Sequence, residues 1–120
     1  MAQDPQKEEK SSFSVSYDLF SKLDIQIATI VSVDEIPKSS KLLKLTVKLG
    51  NDKQRVIVAG IKQAYDPADL VGSQIVVLTN LEPRTVFGAT SNGMLLAADV
   101  DGRAILLRPD TKVPEGSRVR

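Results

Sequence analysis

At 120 residues, 42% of them hydrophobic, the chain has the size of one domain and enough apolar side chains for one core. It contains no cysteine and no histidine, which excludes disulfides and thiolate metal sites and removes the commonest general acid–base group and metal ligand. The net charge of +1 hides a basic block: Lys38, Lys41, Lys44, Lys48, Lys53, Arg55 and Lys62 stand against a single acid, Asp52, between positions 38 and 62, a distribution that either attracts a polyanion or keeps exposed strand faces solvated.

Residues 1–16 are polar and charged with one aromatic, too little to offset their ordering entropy, and are expected to be a flexible tail. No apolar run approaches the ~18–20 residues that span a bilayer. The N-terminus lacks the charged, apolar and small-residue pattern of a secretory signal, so a cytoplasmic location with no membrane partner is expected. The folded domain is predicted from Tyr17 to Arg120, with Phe20 in its core.

Ile25, Ile27, Thr29, Val31 and Val33 alternate with Gln26, Ala28, Ile30 and Ser32, the period of a strand. After a loop over Asp34–Ser40, Leu43, Leu45, Val47 and Leu49 alternate with Lys44, Thr46 and Lys48, an apolar-in, basic-out strand. Gly50-Asn51-Asp52 is a turn signal, and Arg55–Ala59 returns as the hairpin partner. Asp66 is a good N-cap with Pro67 at the first helical position, and Gly72 closes a short helical turn. Gln74–Thr79 reads as a buried strand, followed by a loop carrying Pro83, Gly88 and Gly93. Met94–Ala98 and Ala104–Leu107 flank Asp101-Gly102, the strongest short hairpin signal in the chain. Pro109–Arg120, with two prolines and a glycine, is expected to be irregular or an edge-strand extension. Five or more short strands with one short helix between the third and fourth predict an all-β protein, an OB-fold five-stranded barrel with a C-terminal extension.

Three stretches make this more specific: FSKLDIQIATI (residues 20–30), KLLKLTVKLG with RVIVAGI (41–50 and 55–61), and NLEPRTVFGATSNGMLLAA (80–98). Together they resemble the tRNA-binding domain at the C-terminus of bacterial and some archaeal methionyl-tRNA synthetases, which also occurs in stand-alone tRNA-binding proteins and the endothelial monocyte-activating polypeptide. The Asn-Leu-x-Pro and Ser-x-Gly-Met motifs agree in order and spacing. KSSKLLKL (38–45) and AYDPADLVG (64–72) are similar to the synthetase version, its appendage or beta subunit, rather than to the secretion-chaperone-like branch. The resemblance implies a barrel that homodimerises through its C-terminal extension (about 100–120), grips tRNA outside the anticodon, associates with a synthetase catalytic subunit, and has neither a catalytic centre nor a cofactor. The first strand departs from the family's Asp-Leu-Arg-Val-Gly: the absence of arginine at Gln26 removes a charged RNA-facing candidate.

The candidate tRNA-binding residues are Lys38, Lys41, Lys44, Lys48, Arg55, Arg84, Ser91, Asn92 and Met94. Cations about 7 Å apart along a strand can follow a phosphate backbone and release its counterions. Arg84, on the Pro83 loop, has no evident structural duty. Ser91 and Asn92 offer hydrogen bonds to ribose or phosphate, and Met94 a soft apolar surface; alternatively these three form a structural turn, with Met94 in the core. The aromatic residues are Phe13, Tyr17, Phe20, Tyr65 and Phe87, too few for the stacking row of a single-strand binder. They suit a folded RNA read by shape and backbone. The leading function is a non-catalytic module that raises tRNA affinity. The alternative is a dimerisation, assembly or secretion-chaperone-like protein in which RNA binding is incidental.

Overall fold

The computed structural model describes residues 13–120; residues 1–12, most of the expected tail, lie outside the described residues. Ser16 caps a short helix, α1 (Tyr17–Ser21), its hydroxyl accepting from the Leu19 N–H. None of the helix's residues is buried. Phe20, expected in the core, is 38% exposed, because a helix this short lies on the outside of the barrel and cannot reach its interior.

The barrel sheet has the order β3–β2–β1–β4–β7, from β1 (Ile25–Glu35), β2 (Leu43–Lys48), β3 (Gln54–Ala59), β4 (Gln74–Leu78) and β7 (Met94–Leu95). All pairings are antiparallel. The remaining gap, between β3 and the segment before β7, is bridged by the Asn92 N–H donating to the Val56 carbonyl (2.8 Å). The result is a nearly closed five-stranded OB-like barrel.

Strand β2 obeys its pattern: Leu43, Leu45 and Val47 are fully buried, while Lys44, Thr46 and Lys48 are half-buried on the outer face. Strand β1 does not. Ile27 and Ala28 are both buried, because the strand is covered on two sides. Ala28 and Ile30 join the barrel core, whereas Ile25 and Ile27 pack with Val76 against Val113 and Val119 of the C-terminal segment. The register then shifts between Ile30 and Ser32, leaving Val31 exposed and turning Val33 toward the core. The extra residue of such a bulge exchanges the faces of everything beyond it.

Helix α2 (Pro67–Leu70) forms as its sequence predicts, capped by Asp66 with Pro67 in its first turn, and inserts Leu70 into the core. The stretch expected as a loop around Gly88 is instead a hairpin, β5 (Arg84–Val86) with β6 (Ala89–Ser91). Its two-residue turn, Phe87-Gly88, has both φ values positive (50° and 80°), the type I′ geometry that matches strand twist. Phenylalanine seldom adopts that conformation, which is why the turn is concealed in the sequence. Asp101-Gly102 joins β8 (Ala97–Val100) to β9 (Arg103–Leu106) as predicted.

The last residues return to β1. Ile27 exchanges bonds with Gly116 and Ser117 (2.8 and 2.9 Å), and the Val119 N–H donates to the Ile25 carbonyl (2.8 Å). The Gln74 amide grips Val113 by both its N–H and its carbonyl (3.1 and 2.8 Å). Gly116 lies against Gly50, where an added Cβ would stand 2.7 Å from the Gly50 nitrogen. No helix among the described residues is long and apolar enough to cross a membrane.

Candidate nucleic-acid interface

The predicted basic residues separate into two groups once their partners are known. Lys38 and Lys41 are exposed on the loop between β1 and β2, and Lys44 stands on the outer face of β2. That loop is pinned by the Ser39 hydroxyl, which accepts from the Lys41 and Leu42 N–H groups (3.1 and 2.9 Å), and by the Lys62 N–H donating to the Lys41 carbonyl (3.0 Å). Arg84 is exposed at the start of β5. Among the described residues none of these four cations forms an ion pair, although Asp34 lies opposite Lys44 in the register.

Lys48 and Arg55 are engaged within the protein. Lys48 lies 2.9 Å from Asp52 and 3.9 Å from Glu115; hydrogen bonding to Asp52, with the charges of Asp52 and Glu115, raises its pKa above the usual lysine value. Arg55 pairs with Val47 across the β2–β3 ladder, so it shares the barrel-side face of Val47 and not the outer face of Lys44 and Lys48. Its guanidinium donates to the Thr79 carbonyl.

Thr79 belongs to a polar knot at that end of the barrel. The Thr79 hydroxyl and the Gln26 amide donate to the Asp24 carboxylate (2.7 Å, and 3.0–3.1 Å), and Arg118 lies 3.5 Å from it. The bonds from Thr79 and then Gln26 hold the Asp24 carboxyl below its ordinary range; burial opposes them, and the charges of Arg118 and Arg55 add smaller lowering effects. Asn80 of the Asn-Leu-x-Pro motif accepts from the Asp24 N–H (2.9 Å) and donates to the Lys22 carbonyl (2.7 Å). Gln26, considered as an RNA-facing position, therefore serves this knot beneath the C-terminal segment.

The Ser-Asn-Gly-Met loop closes the barrel. Ser91 is buried; its hydroxyl accepts from the Val58 N–H (2.9 Å) and donates to the Gly93 carbonyl (3.0 Å). Gly93 has φ +127°, and a Cβ there would meet the Leu78 carbonyl at 2.9 Å; glycine is required. Asn92 is exposed, and Met94 is 45% exposed rather than in the core.

Arg84, Ser91 and Met94 meet in a cleft of about 150 Å³ beneath the β5–β6 hairpin, lined also by Leu42, Val58, Gly60, Leu81, Glu82, Val86 and Gly93. Of these, Leu42 directly follows Lys41 in the chain, and Val58 pairs with Lys44 across the β2–β3 ladder. The apolar lining has no local signature in the sequence, where Val58 falls in a predicted strand but Leu42 and Val86 fall outside the predicted strands; only folding of the hairpin over β3 gathers them. Phe87, at the hairpin tip, is 60% exposed.

The family model described as "Putative tRNA binding domain" matches residues 25–118. The chain is 48% identical over 106 residues to a methionine–tRNA ligase of Methanothrix thermoacetophila, an alignment covering 88% of this chain and 16% of the ligase. It therefore spans about one sixth of that relative's length. Among solved structures, the methionyl-tRNA-synthetase-related protein of Pyrococcus horikoshii superposes with a TM-score of 0.84 at 32% identity, covering 90% of this chain and 99% of that one. The chaperone CsaA of Bacillus anthracis gives 0.81 at 28% identity, covering 90% and 100%. The chain thus belongs to the tRNA-binding domain family and is related to a segment of archaeal methionine–tRNA ligases, a binding domain and not the catalytic core of those enzymes.

Proposed function

We propose that the domain holds tRNA by its phosphates and shape, along a surface running from the Lys38–Lys44 region to Arg84 and Asn92. Family membership supplies the ligand class, and the observation that carries the site is a set of cations with no ion pair among the described residues: Arg84 lines the cleft, Lys44 pairs with its lining residue Val58 across the β2–β3 ladder, and Lys41 and Lys38 lie on the adjoining loop. Met94 presents an apolar surface beside them. Lys48, Arg55 and Ser91 act by shaping the site through their internal partners. Exposed cations on a rigid sheet gain affinity chiefly by releasing counterions, so binding is salt-steep and tolerant of sequence.

The module works beside a methionyl-tRNA synthetase catalytic subunit in the cytoplasm, raising its hold on tRNA. Likeness to a one-sixth segment of a methionine–tRNA ligase supports this. It acts as a homodimer, which doubles the basic surface and adds avidity. Supporting this are the exposed apolar side chains of Tyr17 and Leu23 near Val119 and those of Val100, Ile105 and Leu107 in the extension. Light scattering at increasing concentration is expected to give twice the chain mass. A persistent monomer would remove the avidity.

The principal test is tRNA titration in rising salt. The triple variant Lys41→Glu, Lys44→Glu, Arg84→Glu is expected to weaken binding on the order of a hundredfold and to flatten the log–log salt slope by about three. Wild-type affinity indifferent to salt, or unmoved by the three reversals, would overturn the proposal. The secretion-chaperone-like alternative draws on the resemblance to CsaA; it requires unfolded polypeptide to compete with tRNA.

A further inference from the structure

The cleft beneath the β5–β6 hairpin contains one feature that a phosphate-binding surface does not explain. Its lining is mostly apolar, from Leu42, Val58, Leu81, Val86 and Met94, yet the acid Glu82 also faces it. Among the described residues Glu82 forms no ion pair, not even with nearby Arg84. A carboxylate without a cationic partner repels a polyanion, and about 150 Å³ is well below the ~300–1,000 Å³ of sites that enclose drug-sized ligands. An occupant that fits is flat, largely apolar on its faces, able to donate N–H groups from its edge, and attached to something anionic that Arg84, in the same lining, can hold.

We propose that the cleft receives one unpaired nucleobase of the bound tRNA, its faces against Val58, Val86 and Met94 and its amino edge donating to Glu82. This rests on the tRNA-binding reading and adds to it a base-specific contact. An unstacked base in a folded RNA offers both a π-face and a hydrogen-bonding edge, and a carboxylate selects edges that carry an amino group, such as that of cytosine. Arg84, in the lining, and Lys44, paired with the lining residue Val58, are the cations available to the phosphates that flank such a base.

Two substitutions in the full chain test this with opposite logic. The Gly60 position lines the cleft, has no positive φ, and an added Cβ would meet only Leu42 Cδ2, at 3.8 Å; Gly60→Leu therefore fills the space without backbone strain. It is expected to weaken tRNA binding roughly tenfold, as loss of one base contact does, with the salt slope unchanged because no phosphate contact is lost. Glu82→Gln, on an exposed residue, guards against a folding defect in the first variant. If Glu82 only faces phosphates, its neutralisation strengthens binding; if it accepts from a base, binding weakens several-fold. Base-specific chemical probing of the saturated complex is expected to reveal one unpaired base protected by wild type and reactive again with Gly60→Leu.

Unchanged affinity in Gly60→Leu, or tighter binding in Glu82→Gln, overturns the base assignment while leaving a salt-steep phosphate reading intact. A loss in Gly60→Leu accompanied by a flatter salt slope also overturns it, assigning the effect to the cations. Competition by an unfolded polypeptide that Gly60→Leu abolishes would make the occupant a peptide. Wild-type protein that ignores tRNA at low salt fails the underlying reading instead.

Discussion

At one end of β2, Lys48 is held between Asp52 and Glu115, while nearby Arg55 donates to the Thr79 carbonyl beside the Asp24 knot. At the other end, Lys44, with Lys41 and Lys38 in the adjoining loop, has no ion-pair partner among the described residues. Lys44 and Lys48 share a charge and a strand; the difference is that Lys48 meets a turn acid, Asp52, four residues on, and Glu115 of the returning C-terminal segment, whereas no acid pairs with Lys44 among the described residues. A basic cluster read along a chain is thus a pool of cations, and tertiary contacts divide it between holding the fold and facing a ligand.

The largest effect on stability is expected from Arg55→Met, which loses a charged hydrogen bond and leaves the Thr79 carbonyl without it. Chemical denaturation is expected to report a loss of about 2 kcal/mol, whereas Lys44→Met stays within about 0.5 kcal/mol of wild type. Affinity for tRNA is expected to reverse the order, with Lys44→Met weakening it more than Arg55→Met measured well below the unfolding temperature. Equal losses of affinity from the two would dissolve the division between the ends.

Ser91→Ala comes next. It leaves the Val58 N–H without its acceptor at the barrel seam and is expected to cost about 1 kcal/mol. Its tRNA affinity should follow wild type if the hydroxyl acts only through the fold. A tenfold loss of affinity in folded Ser91→Ala would move Ser91 to the ligand-facing group.

The smallest effect is the acid limb of stability. The Asp24 carboxyl titrates below its ordinary value of 3.8 in the folded state. Its contribution is therefore fully present above that value and is lost as the pH falls through the lower folded value. Asp24→Asn is expected to flatten the decline of melting temperature below about pH 4. An unchanged acid limb would detach Asp24 from the stabilising end.

Much of the architecture was legible because β2, α2 and the Asp101-Gly102 turn each follow one local rule: period two, an N-cap with proline, and a type I′ pair. Strand β1 broke its rule for a non-local reason. The residues covering Ile25 and Ile27 come from positions 113–119, and no local window contains both. The hairpin over the cleft was hidden by Phe87 in a conformation that favours glycine or asparagine. Site residues were legible as types but not as roles. Asp52, the nearer acid to Lys48, lies only four residues on, but Glu115 is remote in sequence, and the side taken by Arg55 depends on a register that composition does not reveal. Glu82 is an ordinary loop acid in the sequence; only the folded cleft sets it among apolar side chains.

The close apposition of Gly50 and Gly116 has a practical corollary. With no side chain at either position, the chain's final stretch lies flush along the β1 edge and saturates its main-chain bonds at Ile25 and Ile27. Shortened versions of the protein that omit this stretch would bare a raw strand margin with two isoleucines beside it, a template for pairing with other molecules. Self-association seen only in such truncations would be an artefact of trimming, and stoichiometry is best measured with residue 120 in place.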